Sequence, residues 1–329
     1  MGGSLELYGA TPNVTWTKLD ANAALGATNL TLKDSVNWQG GDEVVIAPTD
    51  FYPHNTLNNP DDSFVATEKK TLSSVNGSSL TLSSGLNKSR WGVLQYVNDS
   101  GLTLTPTTSV TDLVLDERAA VGHLTRNIVI QAADDTLWQT QGFGAQVMAM
   151  QGSSLKLDGV ELRRMGQLGR ERRYPIHWHM LSYNETTGAE LGDAAGQFVR
   201  NSSIHDSKNR CVVIHGTNGV IFSNNICYDI TGHAVFLEDA VERRNVIENN
   251  LVVKVRAPEA SKRFLEHDGQ ASGFWLTNPD NTVRGNIAAD AVGKGFWLAF
   301  PRQTLGLSSK VDLEPRYLPF GIFEDNTAH

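Results

Sequence analysis

A short run in the middle of the chain, YPIHWHML, carries two histidines two positions apart, His177 and His179. On a β-strand, residues i and i+2 point to the same side, so both imidazoles would lie on one face. Imidazole nitrogens bind transition metals and transfer protons near neutral pH. The spacing therefore predicts chemistry on this face, provided that other polar side chains are placed opposite the two rings.

The strands that would place such side chains belong to a repeat. CVVIHGTNGVIFSNNI (211–226), AVFLEDAVERRNVIENNL (234–251), GFWLTNPDNTVRGNI (273–287) and GFWLAF (295–300) share strands, turns and, in the complete units, Asn-rich corners. Units of roughly twenty-three residues with repeated Asn corners are typical of a parallel β-helix. Asn suits a left-handed corner residue, and stacked amides can form hydrogen bonds from coil to coil. A β-sandwich with accidental internal similarity is the alternative.

Alignment of these units predicts the direction of each side chain. The inward-facing set is apolar and comprises Val212, Ile214, Val235, Leu237, Phe274, Leu276, Phe296 and Leu298. The intervening residues face outward, and adjacent coils lie about 4.8 Å apart. His179, His215 and Glu238 therefore form a stack on one outer face, with His177 beside them.

Three imidazoles, from His177, His179 and His215, together with Glu238 suit a divalent transition metal such as zinc. A hydrogen-bonded polar cluster in a sugar-binding groove, without a metal, fits the same residues. Both interpretations depend on the register, because a slip of one residue would turn every side chain to the other face.

Glu238 and Asp239 end one strand and could supply the proton donor and the base or nucleophile of a glycosidase. Asp239 could instead cap the turn that follows. Arg210 and His233 precede equivalent strands at the end of the groove and are further candidates for catalysis. We expect Arg210 to bind a substrate carboxylate, or to pair with Asp206 or with Asp239.

Trp275 and Trp297 continue the outer face and are predicted to be exposed platforms for sugar rings. A segment that covers this side is the alternative contact for both rings. Arg172 and Arg173 belong to a group of five arginines within residues 163–173. This group would neutralise substrate carboxylates or form a solvated basic face.

Composition narrows the class of protein. The 329 residues carry a formal net charge of -8, which argues against a nucleic-acid partner. Two cysteines, Cys211 and Cys227, do not make a disulfide scaffold, and we expect Cys211 to be a free thiol beside the histidines. No apolar run reaches the length of a membrane span, and no signal peptide is seen.

The chain divides near residue 125. Residues 1–125 contain short strands separated by Gly, Asn, Ser and Asp turns, which predicts a β-sandwich or a small barrel. Residues 126–329 form the predicted solenoid that carries the candidate groove.

In combination, YPIHWHM, SIHDSKNRCVVIHGTNGV, TGHAVFLEDAVERRN, FWLTNPDN and GFWLAFP resemble the catalytic region of the family of cell-migration-inducing hyaluronan-binding protein and transmembrane cell-surface hyaluronidase. The upstream segments GGSLELYG, LGATNLTLKDSVNWQGGDEVVIAPTDF and DERAAVGHLTRNIVIQ resemble the eight-glycine domain that precedes this region, which fibrocystin-like proteins also contain. The resemblance covers nearly the whole chain and keeps its order.

This resemblance implies an all-β protein: a right-handed parallel β-helix behind an eight-glycine domain whose first strand pairs onto the solenoid. It implies an extracellular enzyme that depolymerises hyaluronan or a related uronic-acid polysaccharide, with calcium as a cofactor. The matching motif positions that it carries over are His177, His179, Arg210, His215, His233, Glu238 and Asp239.

The chain departs from these animal proteins in its shorter length, its few cysteines and its lack of a membrane anchor. Two other functions therefore remain open. A β-helix polysaccharide lyase would abstract the proton next to a neutralised uronate carboxylate. A glycan-binding or adhesion module would bind the polymer without cutting it.

Overall fold

The computed structural model describes most of the chain. The described ranges are residues 2–50, 66–98, 101–106 and 113–329. Internal contacts divide the chain into two compact units. One unit contains residues 2–11 and 126–328, and the other contains the described part of residues 12–125.

The unit formed by residues 2–11 and 126–328 is a parallel β-helix. Its strands form three sheets, and all strand pairs within these sheets are parallel. The first sheet, in spatial order, comprises β1 (Ser4–Tyr8), β13 (Ser154–Asp158), β16 (Phe198–Arg200), β19 (Ile221–Ser223), β22 (Val246–Glu248), β25 (Thr282–Arg284) and β28 (Ile322–Glu324). The second comprises β11 (Ile128–Gln131), β14 (Val160–Met165), β17 (Ser203–Ser207), β20 (Ile226–Thr231), β23 (Leu251–Arg256), β26 (Ile287–Ala291) and β29 (Thr327–Ala328). The third comprises β12 (Val147–Met150), β15 (Ile176–His179), β18 (Val212–His215), β21 (Val235–Leu237), β24 (Phe274–Leu276) and β27 (Phe296–Leu298).

The third sheet has the register that the repeat predicts. Val212 pairs with Ile176 on one side and with Val235 on the other. The predicted inward residues pack into one apolar core, which also contains the fully buried Trp178. Leu298, on the last strand, differs from this prediction because its side chain is 44% exposed.

The asparagine corners between the first and second sheets consist of two adjacent residues with different roles. The first residue takes the left-handed conformation, as at Asn224 (φ 54°) and Asn249 (φ 54°). The second stacks on the next coil: the Asn225 N–H donates to Asn250 Oδ1 at 3.0 Å, and the Asn250 N–H to Asn286 Oδ1 at 3.0 Å. The corner thus satisfies its buried amides coil after coil, as the asparagine pattern indicates.

The expectation of a free thiol at Cys211 is wrong. Cys211 forms a disulfide bond with Cys227, and both residues lie in the β-helix core. The alternation of side chains holds only within a strand, and Cys211 precedes the first residue of β18. Its side chain therefore turns inward, although Val213 and His215 face outward.

The second unit is antiparallel. Its six-stranded sheet, in spatial order, comprises β2 (Trp16–Lys18), β10 (Ala120–His123), β4 (Glu43–Ile46), β5 (Glu68–Asn76), β6 (Ser79–Leu82) and β3 (Asn29–Thr31). An antiparallel bridge between Leu19 and Leu32 links the two outer strands, so the sheet curves around its apolar core. A three-stranded sheet comprises β8 (Gly101–Thr103), β7 (Gln95–Asn98) and β9 (Leu113–Leu115).

Helices are few and short among the described residues. One α-helix, α1 (Thr136–Gln141), begins after Asp135, whose carboxylate accepts from the Trp138 N–H. The 3₁₀ helices are Ala260–Lys262, Glu266–Gln270, Gly306–Ser308 and Pro315–Tyr317. In the part of the chain that is described, no helix is both long and apolar enough to cross a bilayer.

A candidate active site on the outer face of the third sheet

The outer face of the third sheet brings the three predicted histidines together. The register pairs His179 directly with His215, and their Nδ1 atoms are 3.1 Å apart. The His177 ring is parallel to the His215 ring, with 5.9 Å between centroids. All three are buried, and one ring nitrogen from each lies within 4.8 Å of the others.

His177 differs from its two neighbours because neither of its ring nitrogens has a hydrogen-bond partner. Burial, followed by the charges of His179 and His215, holds the pKa of His177 well below its ordinary range. Burial and the nearby His215 likewise lower the pKa of His179 to about 4. These two rings are therefore neutral at physiological pH.

His215 lies between the two predicted carboxylates. Its Nε2 donates to Asp239 Oδ2 at 2.7 Å, and its Nδ1 lies 3.5 Å from Glu238 Oε2. Burial alone would lower the pKa of His215, but the hydrogen bond to Asp239 and the charge of Glu238 raise it to about 9. Asp239 lies on the same side as Glu238 because β21 ends at Leu237, so that strict alternation no longer applies to either residue.

Glu238 is a largely buried carboxyl group next to His215. It lies in the wall of a cavity, and its Oε2 has no hydrogen-bond partner. Burial raises its pKa, against the opposing effect of His215. Asp239, by contrast, is already occupied, since it also accepts the Ser308 N–H at 2.9 Å.

Two acidic residues that the sequence analysis did not select complete this cluster. Glu185, on the loop after β15, places Oε1 3.1 Å from His179 Nε2. Glu242 Oε1 accepts the N–H groups of Gly216 (2.8 Å) and Asp239 (3.0 Å). Burial and Asp239 raise the pKa of Glu242 to about 7. No periodic signal marks either residue, because both follow the ends of strands.

The cavity beside Glu238 has a volume of about 470 Å³. This size is within the range of small-molecule binding sites. Its lining comprises Glu171, Tyr174, Arg210, Phe236, Glu238, Asp239, Phe264, Leu265, His267, Trp275, Thr277, Ala299, Leu305 and Gly306. Aromatic rings, one guanidinium group and several carboxylates thus meet around a single space.

The tryptophans are not the exposed platforms that the alternation predicts. Trp275 is only 6% exposed and packs with Tyr174 and Phe236. The insertion formed by residues 257–272, between β23 and β24, covers this face through Phe264 and its neighbours. Trp275 still lines the cavity, whereas Trp297 is partly buried outside the lining, with Lys294 Nζ 3.5 Å from its ring centroid.

Arg210 pairs with neither of its two expected partners. Its Nη2 lies 3.0 Å from Asp268 Oδ1, on the insertion, and its guanidinium carbon lies 3.9 Å from the centroid of the Phe236 ring. Both members of this ion pair are buried. The Arg210 Nε and Nη1 atoms have no hydrogen-bond partner, although the side chain lines the cavity. An aromatic face and one carboxylate thus hold the guanidinium group in the wall of the cavity.

Of the two histidines at this end, His267 reaches the cavity and His233 does not. His233 Nδ1 accepts the Ser272 N–H at 2.9 Å, and the His233 ring lies 4.6 Å from Trp275. Burial and the charge of Arg210 keep the pKa of His233 well below its ordinary range. His233 therefore supports Trp275 from behind, while His267 contacts the same indole from the cavity side, at 4.1 Å between centroids.

Arg172 and Arg173 are exposed, and neither lines the cavity. Arg172 lies close enough to the histidines for its charge to lower the pKa of His177. Their neighbour Glu171 does line the cavity. Of the three arginines predicted to bind substrate carboxylates, Arg172, Arg173 and Arg210, only Arg210 lines the cavity.

Comparison with known proteins identifies the family. Residues 142–329 match the CEMIP beta-helix family. The chain belongs to this family. The resemblance to this family is thereby confirmed, and the matched range contains every residue that lines the cavity.

Relatives of this CEMIP beta-helix protein are much longer. It is similar to Fibrocystin-L of Mus musculus, with 33% identity over 99% of this chain and 8% of that protein. It is also similar to Protein rliB of Dictyostelium discoideum, with 26% identity over 100% of this chain and 27% of that protein. The chain thus spans less than a third of the length of either relative.

Among solved structures, similarity extends to the gp54 tailspike of Acinetobacter baumannii bacteriophage AP22, solved in complex with a capsular saccharide. The TM-score is 0.22 at 11% identity, covering 90% of this chain and 56% of the tailspike. A likeness of this size carries no inference about function.

Proposed function

We propose that this chain is an extracellular polysaccharide depolymerase of the hyaluronidase type. It cleaves hyaluronan or a related uronic-acid polysaccharide in the cavity on the outer face of the third sheet. Membership of the CEMIP beta-helix family supports the class of substrate, and the lining of the cavity supports its place.

One observation carries the proposal: Glu238, a largely buried carboxyl group whose pKa is raised by burial, lines the cavity. A glycosidase needs a carboxyl group that can reach the glycosidic oxygen and transfer a proton to it. Asp239 is held by His215 and Ser308 and so is less free to act. We therefore assign the general acid and base role to Glu238, and a positioning role to Asp239.

The other side chains of the cavity fit a charged sugar. Arg210 lines the cavity, and a guanidinium group forms strong hydrogen bonds with a carboxylate such as that of a uronate. The rings of Tyr174, Phe236 and Trp275 provide apolar surface for the faces of pyranose rings. His233 acts through Trp275 in this assignment and does not touch the substrate.

The disulfide between Cys211 and Cys227 supports a location outside the cell. Such bonds persist in secreted and cell-surface proteins and are rare in the cytosol, where thiols are kept reduced.

The test is the length of hyaluronan chains against time, followed by size-exclusion chromatography, for the purified chain and its Glu238→Gln variant. We expect the wild type to shorten the polymer and the variant to be slower by about 10²–10⁴-fold, the usual contribution of a general acid. Glu248→Gln is the matched control, because Glu248 lies on the first sheet and pairs with Arg284. It should retain the wild-type rate.

Three results would overturn the proposal. Retention of hyaluronan on the immobilised chain without shortening would establish a binding module instead. Products with near-ultraviolet absorbance would indicate a lyase, because elimination leaves an unsaturated uronate. If the chain neither shortens nor retains hyaluronan, chondroitin, pectate or alginate, both a depolymerase and a binding module for uronic-acid polymers are excluded.

A further inference from the structure

The strongest unexplained feature is the arrangement of the ring nitrogens of His177, His179 and His215. In the described part of the chain, no other group of three or more His, Cys, Asp or Glu side chains converges in this way. Each ring has two nitrogens, and their partners show which nitrogen faces the centre of the cluster.

The outer nitrogens of two rings are bound to carboxylates. His215 Nε2 lies 2.7 Å from Asp239 Oδ2, and His179 Nε2 lies 3.1 Å from Glu185 Oε1. A carboxylate accepts, so each Nε2 carries a proton, and a neutral ring then keeps its lone pair on Nδ1. Metal-binding histidines commonly have such a carboxylate behind them, which fixes the tautomer and the orientation of the ring.

The inner nitrogens point at each other. The Nδ1 atoms of His179 and His215 are 3.1 Å apart, so two lone pairs would face one another if both rings were neutral. A proton shared between them would relieve this pair. It would not explain His177, which is fully buried beside them with no side-chain partner for either nitrogen.

We propose that His177, His179 and His215 bind one divalent transition-metal ion, through Nδ1 of His179 and His215 and one ring nitrogen of His177. A single cation gives all three imidazoles a partner, which a shared proton cannot do. Glu185 and Asp239 hold the outer nitrogens of their rings. Glu238 Oε2, 3.5 Å from His215 Nδ1, borders the remaining side of the site.

The donors favour one class of metal. Imidazole nitrogen suits zinc, copper, iron and nickel, and three protein ligands with an open position resemble catalytic zinc sites. Calcium takes six to eight oxygen ligands, so these three nitrogens do not fit the calcium ion that the family resemblance implies. The proposal stands apart from polysaccharide cleavage, since metal binding can be measured without a glycan.

The experiment uses the full chain without a histidine tag, stripped with a chelator and then titrated with Zn²⁺ by calorimetry. Metal content after gel filtration is measured in parallel. We expect one equivalent of zinc in the wild type, and loss of that equivalent in His179→Gln and in His215→Gln. His267→Gln removes an imidazole from the cavity wall outside the cluster, and it should retain the full equivalent.

A conservative variant tests the assignment of the nitrogens. Glu185 is 47% exposed, so Glu185→Gln should fold normally. We expect this variant to bind one equivalent of zinc with roughly 10–100-fold lower affinity, the usual effect of losing such a carboxylate. Unchanged affinity would overturn the role of Glu185.

The metal site itself would be overturned if the stripped wild type took up none of Zn²⁺, Co²⁺ or Ni²⁺. It would equally be overturned if the His179 and His215 variants kept the full equivalent. Depolymerase activity in a wild type that binds no metal would reject this inference and leave the proposed function in place. Stoichiometric metal in a chain that cuts no glycan would do the reverse.

Discussion

Two stacks of like polar side chains run along the same solenoid, one at its asparagine corner and one on the outer face of its third sheet. At the corner, Asn225, Asn250 and Asn286 pass hydrogen bonds from coil to coil through backbone and side chain. On the outer face, His177 and Glu238 keep buried atoms without hydrogen-bond partners. Repetition of the coil explains why both stacks exist, but only the corner stack satisfies its own buried hydrogen-bonding groups.

The difference shows how a structural stack can be told from a candidate site. Unpaired buried polar atoms are rare in native proteins and cost stability. A fold keeps such atoms where something outside the chain supplies the partner. Satisfaction of hydrogen bonds, rather than burial or residue type, therefore separates the two stacks.

The largest expected change in the free energy of unfolding comes from replacing Asn250 at the asparagine corner. Asn250 Oδ1 accepts from the Asn225 backbone N–H, and its Nδ2 donates to the Phe222 carbonyl at 2.9 Å and to Asn286 Oδ1 at 2.9 Å. Asn250→Ala leaves several of these buried groups unpaired, so we expect the free energy of unfolding to fall by about 3–5 kcal/mol. Urea unfolding measures this loss. Asn326→Ala, at the partly buried end of the ladder, should cost less, and an equal cost would contradict the ladder.

A paired histidine elsewhere in the solenoid gives an intermediate effect that depends on pH. Burial lowers the pKa of His205, but the hydrogen bond to Asp206 and the nearby carboxylate of Glu161 outweigh it and raise the pKa above 6.5. Burial would raise the pKa of Glu161, but His205 brings it below 4.5. Both His205 and Glu161 are therefore charged at pH values between the folded-state pKa of Glu161 and that of His205.

Replacing His205 tests how the stability contributed by this ion pair depends on pH. His205→Gln should lower the free energy of unfolding by about 1.5–3 kcal/mol near pH 5.5, as expected for a hydrogen bond to a charged group. The difference from wild type should shrink as pH rises through the folded pKa of His205, and also as pH falls through that of Glu161. Unfolding midpoints measured from pH 3 to pH 9 test this, and a difference that does not change with pH would refute it.

The smallest expected change is an increase, not a loss, in the free energy of unfolding. His177→Phe removes two unpartnered nitrogens and keeps an aromatic ring, so in metal-free protein we expect the free energy of unfolding to rise by about 1 kcal/mol. The added ring volume offsets part of the gain. Chemical denaturation of chelator-treated protein measures it. A loss as large as that of Asn250→Ala would mean that the two stacks do not differ in kind.

Periodicity accounts for what the sequence predicts correctly. Alternation within strands and alignment of the repeats place His179, His215 and Glu238 in one stack, because parallel strands keep their register from coil to coil even where the connecting segments differ in length. Contacts from segments outside the repeat have no such signal. Asp268 therefore reaches Arg210, and Glu185 reaches His179, without any pattern that predicts either contact.

The errors have the same origin. Trp275 faces outward as predicted, yet an insertion covers it, since alternation describes direction and not burial. Cys211 lies one residue before its strand, where alternation no longer applies, and it forms a disulfide bond instead of a thiol.

The insertion at residues 257–272 is a wall of the cavity that belongs to no coil, and its Asp268 contacts the solenoid through Arg210. The coils determine where Glu238 and the histidines stand, whereas the insertion determines what fits beside them. The stacked coils therefore form a constant scaffold, and the insertion formed by residues 257–272 is a variable part of the cavity wall. A change in the insertion alone would alter the lining of the cavity and leave the register of the coils unchanged.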